Sequence, residues 1–205
     1  MILEQLRVDT TKDIVTNVYI IVSKNDAMVI DPGGEPEKII DKLNELNANL
    51  KYIVLTHCHS DHIGGVTKIQ NSKGGEVLIS EEDGKAINNP IRNLAPFVGA
   101  KLDKINVDRF LKEGDKINLG DEEFEIIDTP GHTKGGICIY SSKQNILFSG
   151  DTIFKGTYGR TDLPSSSYSD MQSSIKKLMK LPDETNVYPG HGMPTTIVEE
   201  RNLYE

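Results

Sequence analysis

The chain lacks tryptophan altogether and has only two cysteines among its 205 residues. Cys58 and Cys138 stand far apart, and two thiols cannot staple a disulfide scaffold. With Cys58 inside a histidine cluster, both are read as free thiols of a reducing cytoplasm. Long apolar runs are missing too: no window approaches the ~18 residues of a membrane helix. The opening Met1-Ile2-Leu3-Glu4-Gln5 has neither the basic nor the apolar region of a signal peptide. Basic charge is in deficit, with 23 Lys and Arg against 31 Asp and Glu and a net charge of −8. That balance argues against phosphate-driven nucleic-acid binding, which needs a basic face. The expectation is one cytoplasmic domain spanning residues 1–205, long enough for a full core, with no nucleic-acid or membrane partner.

What is present is a series of short apolar runs separated by turns. Val18–Val22 and Ala27–Ile30 flank Ser23-Lys24-Asn25-Asp26 and predict a β-hairpin. Tyr52–Leu55, Glu76–Ile79, Lys116–Leu119, Phe124–Ile127, Gly136–Tyr140, Asn145–Phe148 and Val187–Tyr188 predict further strands. Helical spacing appears over Glu35–Leu46 and through Met171, Ile175, Leu178 and Met179. Shorter helices are expected from Asp61 to Asn71, from Glu81 to Ile87 and from Thr196 to Asn202, with Glu81-Glu82-Asp83 as a solvated helix start. Strands outnumber helices without strict alternation, which favours an α/β arrangement of two sheets packed together with helices outside.

The five histidines are the chemical signal. His57, His59 and His62 fall within Thr-His-Cys-His-Ser-Asp-His, together with Asp61, just after an apolar strand. His132 and His191 each follow Pro-Gly, and Asp151 follows Phe148-Ser149-Gly150 at another strand end. If the chain stays extended, His57 and His59 point to one side, and Ser60 can cap a helix bearing Asp61 and His62. Five imidazoles and two carboxylates exceed one tetrahedral ion and suit two ions with open positions. A carboxylate can bridge two metals where a neutral imidazole cannot, so Asp151 or Asp61 is the natural bridge. Two ions sharing a hydroxide would stabilise charge developing on an attacked carbonyl.

These segments resemble the metallo-β-lactamase superfamily. Thr56-His57-Cys58-His59-Ser60-Asp61-His62-Ile63-Gly64-Gly65 is similar to its His-x-His-x-Asp-His signature. Asp31-Pro32-Gly33, Pro130-Gly131-His132-Thr133, Ser149-Gly150-Asp151 and Pro189-Gly190-His191-Gly192 resemble its other motifs. The resemblance implies an αβ/βα sandwich, with His57, His59 and His132 on one metal, Asp61, His62 and His191 on the other, and Asp151 bridging. It implies two divalent ions, zinc first, with iron or manganese as alternatives. Within the superfamily the chain is most similar to glyoxalase II-like hydrolases, which implies attack of the bridging hydroxide on a small-molecule thioester such as a hydroxyacylglutathione, with Asp61 and Asp151 as catalytic carboxylates. Gly159-Arg160-Thr161-Asp162 also resembles the persulfide dioxygenases, whose iron would use only His57, His132 and Asp151. β-Lactam hydrolysis is not implied. The fourteen residues after His191 leave no room for the helical domain that helps classical glyoxalase II bind glutathione.

A phosphodiesterase or nuclease is disfavoured by the acidic balance, and a non-catalytic metal module by the open coordination positions. Arg160 could take a substrate carboxylate through its planar fork or pair with Asp162 or Asp31. Tyr158 could line the substrate pocket or simply pack. Cys58, between two ligand candidates, should turn away from them. Asp31 and Asp128 are candidate partners for the outer nitrogens of the histidines. The oligomeric state is left open.

Overall fold

In the computed structural model, which describes residues 1–11 and 13–204, two six-stranded mixed sheets stack face to face. The first holds β1 (Ile2–Thr11), β2 (Ile14–Ser23), β3 (Asp26–Ile30), β4 (Asn49–Val54), β5 (Glu76–Ser80) and β6 (Arg109–Leu111), in that order. β1 to β3 run antiparallel, and β3 to β6 run parallel. Between these parallel strands lie α1 (Pro36–Glu45), α2 (Ser60–Ile63), α3 (Val66–Lys73), α4 (Glu81–Ala86) and α5 (Ala95–Val98).

The second sheet contains β7 (Lys116–Leu119), β8 (Glu122–Asp128), β9 (Ile137–Ser141) and β10 (Ile146–Gly150). After a small ribbon of β11 (Ile153–Phe154) and β12 (Thr157–Tyr158) and the helix α6 (Tyr168–Leu178), it is completed by β13 (Asn186–Pro189) and β14 (Thr195–Thr196). α7 (Ile197–Tyr204) closes the described chain. Only β10 and β13 are parallel in this sheet.

Side-chain alternation along the strands sorts the core into three layers. Tyr19, Ile21, Met28 and Ile30 of the first sheet meet Phe124, Ile126, Ile139 and Phe148 of the second between the sheets. Ile20, Val29, Ile53 and Val77 point the other way, onto Ile39 and Leu43 of α1 and Val66 and Ile69 of α3. Cys138, Tyr140, Leu147 and Val187 face Met171, Ile175 and Leu178 of α6 on the far side. Each sheet is thus covered on both faces, which is why its central strands read as continuous apolar runs.

Several expectations are corrected. The helix expected from Asp61 to Asn71 is two helices, because the chain turns at Gly64-Gly65 where the Gly65 amide donates to the Pro32 carbonyl. Ser60 is not its cap: the helix begins at Ser60, with His59 in extended conformation at the capping position. The long strand β1 was not expected, since as an edge strand half in solvent it carries few apolar residues. Asp83 is not solvated but fully buried.

Candidate metal centre

The candidate ligands follow the carboxyl ends of strands from both sheets. β4 runs into His57, His59, Asp61 and His62; β8, β10 and β13 deliver His132, Asp151 and His191. The sheets are tied there by backbone hydrogen bonds, with the Ile137 amide donating to the Thr56 carbonyl and the Asn17 amide to the Gly190 carbonyl. Gly190 must be glycine: a Cβ there would lie 2.4 Å from Asp151 Oδ1 and 2.6 Å from His62 Cε1.

All seven predicted donors converge. His132 Nε2 lies 2.9 Å from His59 Nδ1, and the His57 ring centroid is 5.0 Å from that of His132. His62 Nε2 lies 3.2 Å from His191 Nε2, with Asp61 Oδ2 at 3.7 Å and 3.3 Å from those two nitrogens. Asp151 stands between the groups. Its Oδ1 is 3.4 Å from His62, and its Oδ2 is 3.4 Å from both His132 and His191. His57, His59 and His132 form one set able to hold an ion, and Asp61, His62 and His191 another.

The outer nitrogens explain why the inner ones are bare. His62 Nδ1 is 2.9 Å from Asp31 Oδ2, His132 Nδ1 is 2.9 Å from the Arg160 carbonyl, and His191 Nδ1 is 2.8 Å from the Val15 carbonyl. Thr56 donates its hydroxyl to Asp31 Oδ2 at 2.6 Å, so it accepts from His57 Nδ1 at 3.0 Å. Asp31 therefore steers two rings, one directly and one through Thr56. Its backbone has φ 52°, a left-handed conformation that aspartate tolerates better than most residues. With Nδ1 of His57, His62, His132 and His191 committed outward, their Nε2 atoms face inward, and His59 alone turns its Nδ1 to the same side. His57 Nε2, His59 Nε2 and Asp151 Oδ1 are buried without a hydrogen bond. Nitrogen and carboxylate donors that converge within 4.8 Å of one another are the set a divalent cation satisfies, so these residues fit the metals that the sequence implies.

Charge divides the site. Burial drives His57 well below its ordinary pKa, reinforced by His62 and His59. Burial likewise pulls His59 down to about 3, aided by His132. Around the other set, burial alone would lower His62, but Asp151, Asp61 and Asp31 outweigh it and raise the ring to about 9. Burial is also outweighed at His191, which Asp151 and Asp61 raise to about 11. Burial opposes ionisation of Asp151, yet His191, His62 and His132 hold its carboxyl well below the usual range.

Sequence reasoning overlooked the residues that hold these loops. Asn17 Nδ2 donates to the Pro189 and Gly192 carbonyls at 2.9 Å and 3.0 Å, and Tyr19 donates its hydroxyl to Pro189, so β2 grips the His191 turn from both ends. A polar residue directly before the apolar run Val18–Val22 was the available signal. Phe154, with its ring centroid 6.0 Å from that of His191, adds an apolar wall. Asp31 takes the orienting role expected of it, whereas Asp128 touches no histidine; burial and Glu113 raise its pKa, and its carbonyl accepts from Lys177. Cys58 and Cys138 are buried free thiols. Tyr158 packs on the layer beneath α6, facing Tyr204 with ring centroids 6.2 Å apart. Arg160 makes a two-pronged ion pair with Asp162, at 2.8 Å and 2.9 Å, with both side chains largely exposed.

Comparison with known proteins agrees with this geometry. The profile of the metallo-beta-lactamase superfamily matches residues 11–191. The chain is 38% identical over 181 residues to the hydroxyacylglutathione hydrolase GloC of Haemophilus influenzae, covering 87% of this chain and 85% of that protein. The crystal structure of the BLEG-1 B3 metallo-beta-lactamase matches with a TM-score of 0.90 and 31% identity, over 98% of this chain and 97% of that one. TTHA1623 in a di-iron-bound form matches with a TM-score of 0.85 and 32% identity, over 97% and 98% of the two chains. Family profile, fold and convergent histidines and carboxylates together establish that this chain belongs to the metallo-beta-lactamase superfamily, whose members are generally hydrolases.

Proposed function

We propose that the protein is a metal-dependent hydrolase of small acyl thioesters of the hydroxyacylglutathione type. The observation that carries the reading is the position of Asp151, within 3.4 Å of histidines from both donor sets. That geometry suits a shared carboxylate better than does Asp61, which approaches only His62 and His191. The similarity to GloC supports the substrate class.

In this reading His57, His59 and His132 hold one ion, Asp61, His62 and His191 the second, and Asp151 both. Bound divalent ions supply Lewis-acid polarisation of the thioester carbonyl and lower the pKa of water. Nitrogen and oxygen donors without thiolate suit zinc, and the di-iron form of TTHA1623 keeps iron as the alternative. The protein's own part is orientation. Asp31 and Thr56 fix the rings of His62 and His57, the Arg160 carbonyl fixes His132, and Val15 fixes His191. Asp61 and Asp151 are the catalytic carboxylates, both held ionised by their imidazole neighbours against the effect of burial. Phe154 borders the substrate side, whereas Tyr158 lies on the opposite face of the β11–β12 ribbon and packs instead. Arg160 can exchange Asp162 for a substrate carboxylate at small cost, because an exposed ion pair contributes only ~0.2–1 kcal/mol.

The likeness to the BLEG-1 enzyme favours β-lactam hydrolysis as a second reading. The deciding experiment is purification without added metal, elemental analysis, and assay of the zinc- and iron-loaded protein on S-lactoylglutathione, a chromogenic cephalosporin and glutathione persulfide. Two ions per chain with thioester cleavage is the expected result. Cephalosporin turnover without thioester turnover would transfer the assignment to the second reading, and oxygen consumption on the persulfide to an iron dioxygenase.

A further inference from the structure

Asp83 is fully buried in α4, outside the donor sets, and its carboxylate is divided between the two loops that carry the three-histidine set. Oδ2 accepts the Cys58 amide at 3.0 Å, between His57 and His59. Oδ1 accepts the Gly135 amide at 2.9 Å, three residues beyond His132. The same helix start grips Gly135 a second time, since Ser80 Oγ donates to the Gly135 carbonyl at 2.5 Å while also capping α4 through the Asp83 amide. Gly135 has no room for a side chain: a Cβ would sit 2.5 Å from Ser80 Oγ and 2.7 Å from Asp83 Oδ1. His59 belongs to the loop after β4 in the first sheet and His132 to the loop after β8 in the second, so nothing local in sequence sets their 2.9 Å approach.

We propose that Asp83 is a positioning residue that sets the spacing of the three-histidine metal site by latching the His57–His59 loop to the His132 loop. The proposal rests on the assignment of His57, His59 and His132 to one ion. A carboxylate suits the task because both of its oxygens accept, so one rigid group receives two amides that point at it from different sheets. Such amide-to-carboxylate bonds are stronger than neutral ones. An asparagine of the same shape would turn an N–H toward one of those amides. Asp83 touches no ring, so its action on the metal passes entirely through loop position.

The test is Asp83→Asn in the full chain, loaded with two Co(II) ions and titrated with a chromophoric chelator while the cobalt absorption is recorded. The expected result is one ion held about 10–100-fold more weakly, the range seen when groups behind metal ligands are altered. The absorption of that site shifts, while the second ion and the far-UV circular dichroism match the wild type. Gly135→Ala pries the latch from its other side and should weaken the same ion. If Asp83→Asn does not fold, Gly135→Ala decides. Wild-type affinity for both ions, equal weakening of both, or failure of both variants to fold overturns the proposal, the last because it makes Asp83 a general folding element. A wild type that binds no ion overturns it too. A wild type that binds two ions yet cleaves no thioester removes the hydrolase reading alone and leaves the latch intact.

Discussion

At the scale of single residues, Asp151 carries the sharpest expectation. Asp151→Ala and Asp151→Asn should both lose turnover while keeping the fold, because an amide bridges metals poorly and the side chain belongs to none of the three apolar layers. Near-wild-type rates in either variant would remove Asp151 from the ligand set. Arg160→Ala should raise KM for S-lactoylglutathione about two- to five-fold, the worth of an exposed ion pair, with kcat and the KM of a neutral thioester unchanged. Equal effects on the two substrates would leave Arg160 as the partner of Asp162 only. The thiols make a third case. Cys58 and Cys138 are buried and burial raises the pKa of both, that of Cys138 to about 11, so neither should react with a maleimide in the native protein at neutral pH. Both should react in denaturant; fast native labelling of Cys58 would contradict its inward orientation. All seven residues that converge were legible in the sequence, the five imidazoles because histidine appears nowhere else in the chain and the two carboxylates from their place in the histidine motif and at a strand end. Asp83 was not: an acid in an acidic run reads as solvated, and only the docking of two distant loops reveals what it accepts.

At the scale of elements, β2 has two duties. Its apolar residues build the core, and Asn17 holds the turn that presents His191. Asn17→Ala removes one buried and one partly buried hydrogen bond, at a cost of about 1–3 kcal/mol. In a chain of this size that corresponds to about 2–4 °C of Tm for each kcal/mol. The ion held by Asp61, His62 and His191 should weaken, and the ion on the three histidines should not; cobalt titration with circular dichroism as control reads both. The central strands were legible because burial on both faces gives unbroken apolar runs. β1, β6 and β14 escaped because edge strands are half polar or too short to show a period. The break between α2 and α3 escaped because its cause, the Pro32 carbonyl, comes from another loop.

At the scale of the whole molecule, each donor set draws on both sheets. His57 and His59 come from the first and His132 from the second; Asp61 and His62 come from the first and His191 from the second. Metal should therefore stabilise the docking of the sheets, and removal by a chelator should lower Tm by several degrees without changing strand content. An unchanged Tm would mean that the ions bind without holding the sheets together. The same feature orders events in time. His59 and His132 are 73 residues apart, and His62 and His191 are 129 apart, so a chain that has folded only its first sheet offers neither set complete. Each set closes only when a loop of the second sheet docks against the first, the loop after β8 for one and that after β13 for the other, so metal follows that docking rather than guiding it. The rate of refolding should then be independent of zinc concentration, with a separate, zinc-dependent step following it. The choice of ion thus falls to the docked sheets and to whichever metal is free in their surroundings at that moment, rather than to any isolated segment of the chain.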